Sequence, residues 1–520
     1  MPNRAAVVGC GGAAQGLAGG TRGGKAKAEG NAMTMPVPVA RRGFVLAASL
    51  ATIFIAAIES TMIVTVMPTI VAQLGGFELY GWVFAAFLLT QAVTMPIYGK
   101  LADLYGRQRV LYAGVGIYVA ASLAAGFSVT LPMLIACRVV QGAGSGAILP
   151  IATTIVADIY TPEERARVQG WIAGLWGASA VVGPSIGAAI IAYADWHYAF
   201  WVNIPVAAVA LGMVRIFHRE RIERRRHRLD VMGAALLIPA AGALMTALMQ
   251  AATLPIVWTV ALGGAGVAGV VAFVRHERRT PEPLIPLDLW RDRLIAIGTG
   301  GAFLLGILMM GVPAFLPTHI QGVMGETAKL AAIAVAAQMV GWSTCSALGG
   351  PLMLRTSYRL VTIVGSIGLI GGAALLAAVV ELSDPTLLIL GAFLIGLGLG
   401  FTHAVFLISV QTSVPWERRG SATSGVHFGR VFGQAFGATL FGAILNAGLS
   451  AAGPGLAGAT AVETMMDPGK RAAMAPTALA RAIAAMADAL SSIYLTASAI
   501  AVLVLILGLL LPPGVRPGTR

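Results

Sequence analysis

Apolar residues run along this chain in long stretches, broken by short polar and charged turns. About fourteen such runs can be placed, beginning near Phe44, Trp82, Val110, Met133, Ala166, Tyr198, Val231, Pro255, Leu294, Ala331, Leu360, Leu387, Ser421 and Ser491. Each approaches the ~20 apolar residues that a helix needs to cross hydrocarbon. The pattern therefore predicts an all-α membrane protein with about fourteen transmembrane helices. Glycine, with 65 residues, is abundant inside the runs. In lipid that favours close helix packing rather than disorder.

The polar positions orient these spans. With the N-terminus inside, 29 of the 35 Lys and Arg fall in alternate, cytoplasmic segments. Four lie outside (Lys329, Lys470, Arg471, Arg481) and two, Arg138 and Arg430, lie within spans. That asymmetry is the positive-inside rule, and it places both termini in the cytoplasm of a multi-pass cytoplasmic-membrane protein. The densest basic run, His218–Arg228, reads as an orientation signal touching anionic lipid, not as a nucleic-acid site.

Composition agrees. The chain is 57% hydrophobic and 11% charged, with a mean hydropathy of +0.82, so its solvent is lipid. The net charge of +13 is accounted for by the inner loops. Cys10, Cys137 and Cys345 are too few and scattered for a disulfide framework, and neither they nor the seven histidines show metal-ligand spacing. No metal site or bound cofactor is expected. The first forty residues are rich in Gly and Ala and are expected to be a disordered cytoplasmic extension. Gly19–Lys25 nearly spells a phosphate-binding loop, but Ala26 stands where a hydroxyl residue would hold magnesium and no strand precedes it.

The chain repeats itself. Pro162, Glu164 and Arg165 match Pro415, Glu417 and Arg418 at an offset of 253, and Gly99 maps to Gly350 at 251. Two six-helix bundles are the simplest account, at 41–218 and 294–512, with a basic loop, two inserted helices and a linker at 219–293. An outer loop at 450–489, with an amphipathic helix over Ala472–Ala489, and a tail at 513–520 complete the expected organisation. Paired bundles of this kind place a substrate site between them near the bilayer midplane.

Charge inside a span is costly and marks function by default. Glu59 falls near the middle of the first run, with only Ser60, Thr61 and Thr65 as polar neighbours. Hydrocarbon surroundings favour its neutral form, so it reads either as a proton carrier or as a hydrogen-bonded structural acid. Arg138 in CRVVQGAGSG is a permanent charge that can bias a neighbouring acid or hold carbonyls. His403, in the twelfth run, can titrate or merely hydrogen-bond. Between the second and third runs, Gly99-Lys-Leu-Ala-Asp103-Leu-Tyr-Gly106-Arg107-Gln-Arg109 clusters charge at the membrane surface. It is either a solvated turn or a lock between helix ends.

This last stretch resembles the loop between the second and third helices of the major facilitator superfamily, through Gly99, Leu101, Asp103, Gly106, Arg107 and Arg109. Other segments are similar to the superfamily's fourteen-helix drug:proton antiporter family. Glu59 stands for that family's first-helix acid, usually Asp, and Met67 precedes Pro68 where Leu-Pro is usual. Arg138, Gln141 and Gly142 match an Arg-x-x-Gln-Gly motif linked to proton transfer. Gly174, Gly183, Pro184 and Gly187 resemble the fifth-helix antiporter motif, with Ala188 in place of a second Gly. The segment Asp195–Val206 resembles the start of the sixth helix, with His197 for Arg and aromatics suited to an interfacial belt. Arg430 matches an Arg before glycines in the thirteenth helix.

The resemblance implies a transporter, not an enzyme: proton-driven efflux of small lipophilic, chiefly cationic compounds by alternating access, with the proton as coupling ion. Glu59 and Arg138 would couple the proton, and Asp103 and Arg107 would close and reopen the cytoplasmic side. A narrow exporter of one metabolite or siderophore shares every motif, and a non-transporting membrane sensor is the alternative of another class. The partners implied are a small-molecule substrate and the bilayer, with no nucleic acid. A periplasmic adaptor is not indicated by the sequence.

Overall fold

The computed structural model describes residues 39–74, 80–217, 230–249, 254–281, 283, 288–382, 384–451, 471 and 474–512. The N-terminal extension up to residue 38, the basic run His218–Arg228, most of the outer loop and the tail from 513 lie outside the described residues.

Among the described residues every regular element is a helix. The first part comprises α1 (Val39–Leu74), α2 (Tyr80–Tyr105), α3 (Arg107–Ala125), α4 (Leu131–Ser145), α5 (Ile148–Ile159), α6 (Pro162–Tyr193), the single turn α7 (Tyr198–Trp201) and α8 (Asn203–Phe217). The pair α9 (Val231–Met249) and α10 (Ile256–Glu277) follows. The remainder is α11 (Arg293–Pro317), α12 (Ala328–Arg355), α13 (Tyr358–Leu382), α14 (Pro385–Ser413), α15 (Arg419–Ala451) and α16 (Pro476–Leu510).

Local chemistry sets the helix starts. Thr161 and Glu164 form a reciprocal capping box at the head of α6, with Pro162 in its first turn. The residues that carried the internal repeat in this loop therefore also begin a helix. Asp292 and Asp384 cap α11 and α14 by their side chains alone, accepting backbone N–H groups.

Twelve helices among the described residues are long and apolar enough to span a membrane. α4 and α5 together make one of them, Leu131–Ile159. The other two of the fourteen expected runs are also helical: α3, whose first turn carries Arg107, Gln108 and Arg109, and α9, 19 residues without a charge. One expectation is corrected. The part of the expected outer amphipathic helix from Pro476 on belongs to the last span itself, since α16 runs unbroken through 35 residues from there, and 472–473 lie outside the described residues. Ala and Leu fill its first turns, both strong helix formers, and nothing there breaks the ladder.

α1 packs along α6 and α8; α2 and α3 pack along α4. In the later part α11 lies along α15, α12 along α14, and α13 along α14 and α16. Helices from the two parts meet chiefly where α2 crosses α15 and where α6 lies along α12. The α9–α10 pair rests on α2 and α15. Outward faces are apolar, as at Ile256, Val257 and Trp258 of α10 and Ile367 of α13, which suits contact with lipid. The aromatics after Asp195 divide. Tyr198 is exposed as a belt requires, but Trp196 and Phe200 are buried in the core beside Met62 and Leu134.

Candidate functional site

Glu59 and Arg138 meet. The carboxylate of Glu59 on α1 forms an ion pair with the guanidinium of Arg138 on α4, and both side chains are almost completely buried. Tyr118 of α3 donates its hydroxyl to the second carboxylate oxygen. Arg138 also donates to Gln141 Oε1 at 2.7 Å and to the Val83 carbonyl of α2 at 3.2 Å, and it lies over the Phe87 ring at 4.1 Å. Gln141 passes the network on to Ser122 Oγ at 2.7 Å. Four helices thus enclose one acid, one base and their hydrogen-bond partners. Gly142 and Gly144 let α4 come this close: a Cβ at Gly144 would meet the backbone of Tyr118 and Gly114.

The charged turn is a lock between helix ends. Gly106, at φ 98°, turns the chain from α2 into α3, in a region where a side chain is strained. Asp103 accepts hydrogen bonds from Gly420 N (2.8 Å), Ser421 N (2.7 Å) and Ser421 Oγ (2.7 Å) at the start of α15. Arg107, nearly buried, reaches Asp103 at 3.4 Å, Asp158 at 3.1 Å and the Trp416 carbonyl at 2.6 Å, and it stacks on the Trp416 ring. Arg419 completes the set with Asp158 at 2.6 Å. Gly99 keeps α2 against α15, since a Cβ there would run into Ser424 and the Gly420 carbonyl. Arg109 is exposed and outside these contacts.

Asp158, Trp416 and Arg419 were not singled out by the sequence. The repeat pointed to Arg418, which instead pairs on the surface with Asp288 at 2.5 Å. Arg165, its counterpart, binds the Ala157 and Tyr160 carbonyls. Asp158 lay in view at the end of the fourth run, and its charge was the signal.

The small residues of α6 serve two neighbours. Gly174 faces Ser343 of α12, whereas Gly183 faces Thr61 and Gly187 faces Met62 and Thr65 of α1. Thr61 donates to the Ser179 carbonyl at 2.8 Å across this seam. α6 continues helical through Pro184.

His403 and Arg430 come together elsewhere. Both line a partly open cavity between α5, α6, α12, α14 and α15. His427, which the sequence did not mark out, sits beside them and contacts Thr153 Oγ1 at 3.0 Å. Trp176 and Trp342 form apolar walls. Among the described residues no group of His, Cys, Asp and Glu is placed to hold a metal ion.

Comparison with known proteins agrees with this architecture. A sequence profile of the Major Facilitator Superfamily matches residues 49–438. Multidrug resistance protein 3 of Bacillus subtilis (strain 168) is 31% identical over 479 residues, which cover 87% of this chain and 92% of that protein. The multidrug transporter protein MdtP of the same organism is 30% identical over 413 residues, covering 78% and 76%. Among solved structures, the proton:xylose symporter XylE superposes with a TM-score of 0.56 at 11% identity, covering 88% of this chain and 95% of that one, and so shares the fold. With a matching profile over most of its length and relatives at this identity, the chain belongs to the major facilitator superfamily of membrane transporters.

Proposed function

We propose that this transporter exports small lipophilic compounds across the cytoplasmic membrane by proton-driven alternating access, with Glu59 carrying the proton. The observation that carries the reading is the buried Glu59–Arg138 pair, held by Tyr118 and Gln141 inside the membrane-spanning bundle. The names of the Bacillus relatives support efflux of more than one compound.

The cycle follows from charge. Protonating Glu59 removes the counter-charge of Arg138 and leaves a guanidinium alone in a desolvated site, which is unfavourable. Movement of α4 relieves it. α4 and α5 form one span, and Thr153 on that span borders the cavity. Arg138 and Thr153 are fifteen residues apart, ~22 Å along a helix, so the two sites communicate through movement of the span and not by contact. Two six-helix halves, 41–218 and 294–512, rock about the cavity. The Asp103–Ser421 and Arg107–Asp158–Arg419 contacts shut the end that positive-inside charge assigns to the cytoplasm. Each pH unit across the membrane supplies ~1.4 kcal/mol per proton.

The test is substrate-driven proton release from proteoliposomes loaded with the full-length protein, using several unrelated lipophilic dyes. The native protein should release protons on dye addition. Glu59→Gln should match empty liposomes, and Glu59→Asp, which keeps the acid, should retain release. Equal release by native and Glu59→Gln protein would move the coupling acid elsewhere, and a response to no dye would exclude broad efflux.

A further inference from the structure

Arg138 and Arg430 are both buried arginines in the spans, but their surroundings differ. Arg138 has its carboxylate. Arg430 has none: its side chain is 7% exposed, no described residue forms an ion pair with it, and its Nε lacks a hydrogen-bond partner. His427 Nδ1 and His403 Nε2, at 2% and 8% exposure, are likewise unpartnered. All three residues line the one cavity, and no described residue of its lining is acidic. His427 and Arg430 are three apart on α15, so their side chains share a helix face. His403 approaches from α14, with Trp342 edge-on to it at 6.2 Å between ring centroids.

A guanidinium keeps its charge at any physiological pH, and a buried charge without a partner is strongly unfavourable. A cation entering this cavity would add repulsion to that cost. An anion would remove it, because the planar fork of Arg matches the two oxygens of a carboxylate and the open Nε2 of His403 can carry an N–H donor.

We propose that this cavity recognises amphipathic anions, a carboxylate or similar oxyanion on an apolar body. The oxyanion pairs with Arg430 and His403, and the body lies between Trp176 and Trp342. This rests on the efflux reading, which makes the cavity the substrate path, and it replaces the sequence-based expectation of chiefly cationic substrates with acidic ones.

Three probes of nearly equal shape separate the possibilities: 1-naphthoate, 1-naphthamide and 1-naphthylmethylammonium. Binding is read as quenching of tryptophan fluorescence in full-length protein in lipid nanodiscs at pH 7. The native protein should bind 1-naphthoate about tenfold or more tightly than either analogue, the margin expected of one charge-assisted contact. Arg430→Gln should abolish the preference, and Arg430→Lys, which keeps the charge, should retain part of it. A monodisperse size-exclusion profile and native helical circular dichroism show that each variant is folded. A native preference for the ammonium probe, or a carboxylate preference that survives Arg430→Gln, would overturn the proposal. Glu59→Gln distinguishes the two readings. Loss of proton release with carboxylate binding intact supports both. If native protein binds the carboxylate but moves no protons, the coupling reading fails and this one stands.

Discussion

At the scale of single residues, the protein places two arginines in hydrocarbon and treats them differently. Arg138 is balanced by Glu59, and removing one member of such a buried pair typically costs about 3–5 kcal/mol. Glu59→Gln should therefore lower the apparent melting temperature in detergent, because Arg138 cannot shed its charge. Adding Arg138→Gln to that variant should recover most of the loss. If the double variant melts no higher than Glu59→Gln, the pair is not the stabilising unit. Glu59 and Arg138 were legible in the sequence because a charge within an apolar run stands out against every neighbour. Tyr118 and Ser122 were not, since either residue in an apolar run looks the same whether it packs or hydrogen-bonds. His427 escaped for the same reason.

At the scale of elements, the ends of α2 and α15 are held by charge meeting backbone. A hydrogen bond to a charged group contributes about 1.5–3 kcal/mol net, so Asp103→Asn should shift the lock toward the open form by roughly 10–100-fold. Ser424 is 1% exposed against Gly99. Labelling of Ser424→Cys by a polar maleimide, with Cys10, Cys137 and Cys345 replaced, should rise by that factor in Asp103→Asn. No change in labelling would mean that the contact does not hold the end shut.

The inserted pair has its own tie. Asp230 takes hydrogen bonds from Gly233 N (2.8 Å) at the start of α9 and contacts His276 of α10 at 2.9 Å. Burial pushes the Asp230 carboxyl up, but the Gly233 N–H and the bond and charge of His276 outweigh it and hold it below the ordinary carboxylate range. A lowered carboxyl stabilises the fold above its unfolded pKa, near 4, and that contribution is lost as pH falls through the folded value. Asp230→Asn, which keeps a capping oxygen but loses the carboxylate charge at the head of α9, should thus lower the apparent melting temperature at pH 7, by the equivalent of about 0.3–1 kcal/mol. The difference from native protein should shrink as pH falls below the ordinary carboxylate range, and one that stays constant with pH would show that the effect is not electrostatic.

At the scale of the whole molecule, substrate charge decides which gradient drives transport. Exporting a monovalent anion while importing one proton moves two positive charges inward per cycle, and each is worth ~2.3 kcal/mol per 100 mV. An inside-negative potassium diffusion potential should accelerate 1-naphthoate export at zero pH difference in correctly oriented proteoliposomes. A monovalent cation exchanged for one proton would be electroneutral and would not respond. What the sequence determined alone is the solvent of this chain, its helical class and the grouping of its motifs, because hydropathy and charge asymmetry are properties of short local windows. Tertiary structure alone decided the partners. Glu59 finds Arg138 79 positions away, Asp103 finds Ser421 318 away, and Arg430 finds no carboxylate among the described residues. The physical reason is that lipid tails are as apolar as the helices they surround, so helix association depends on shape at small residues and on desolvated polar pairs. Neither exists until the helices are in contact.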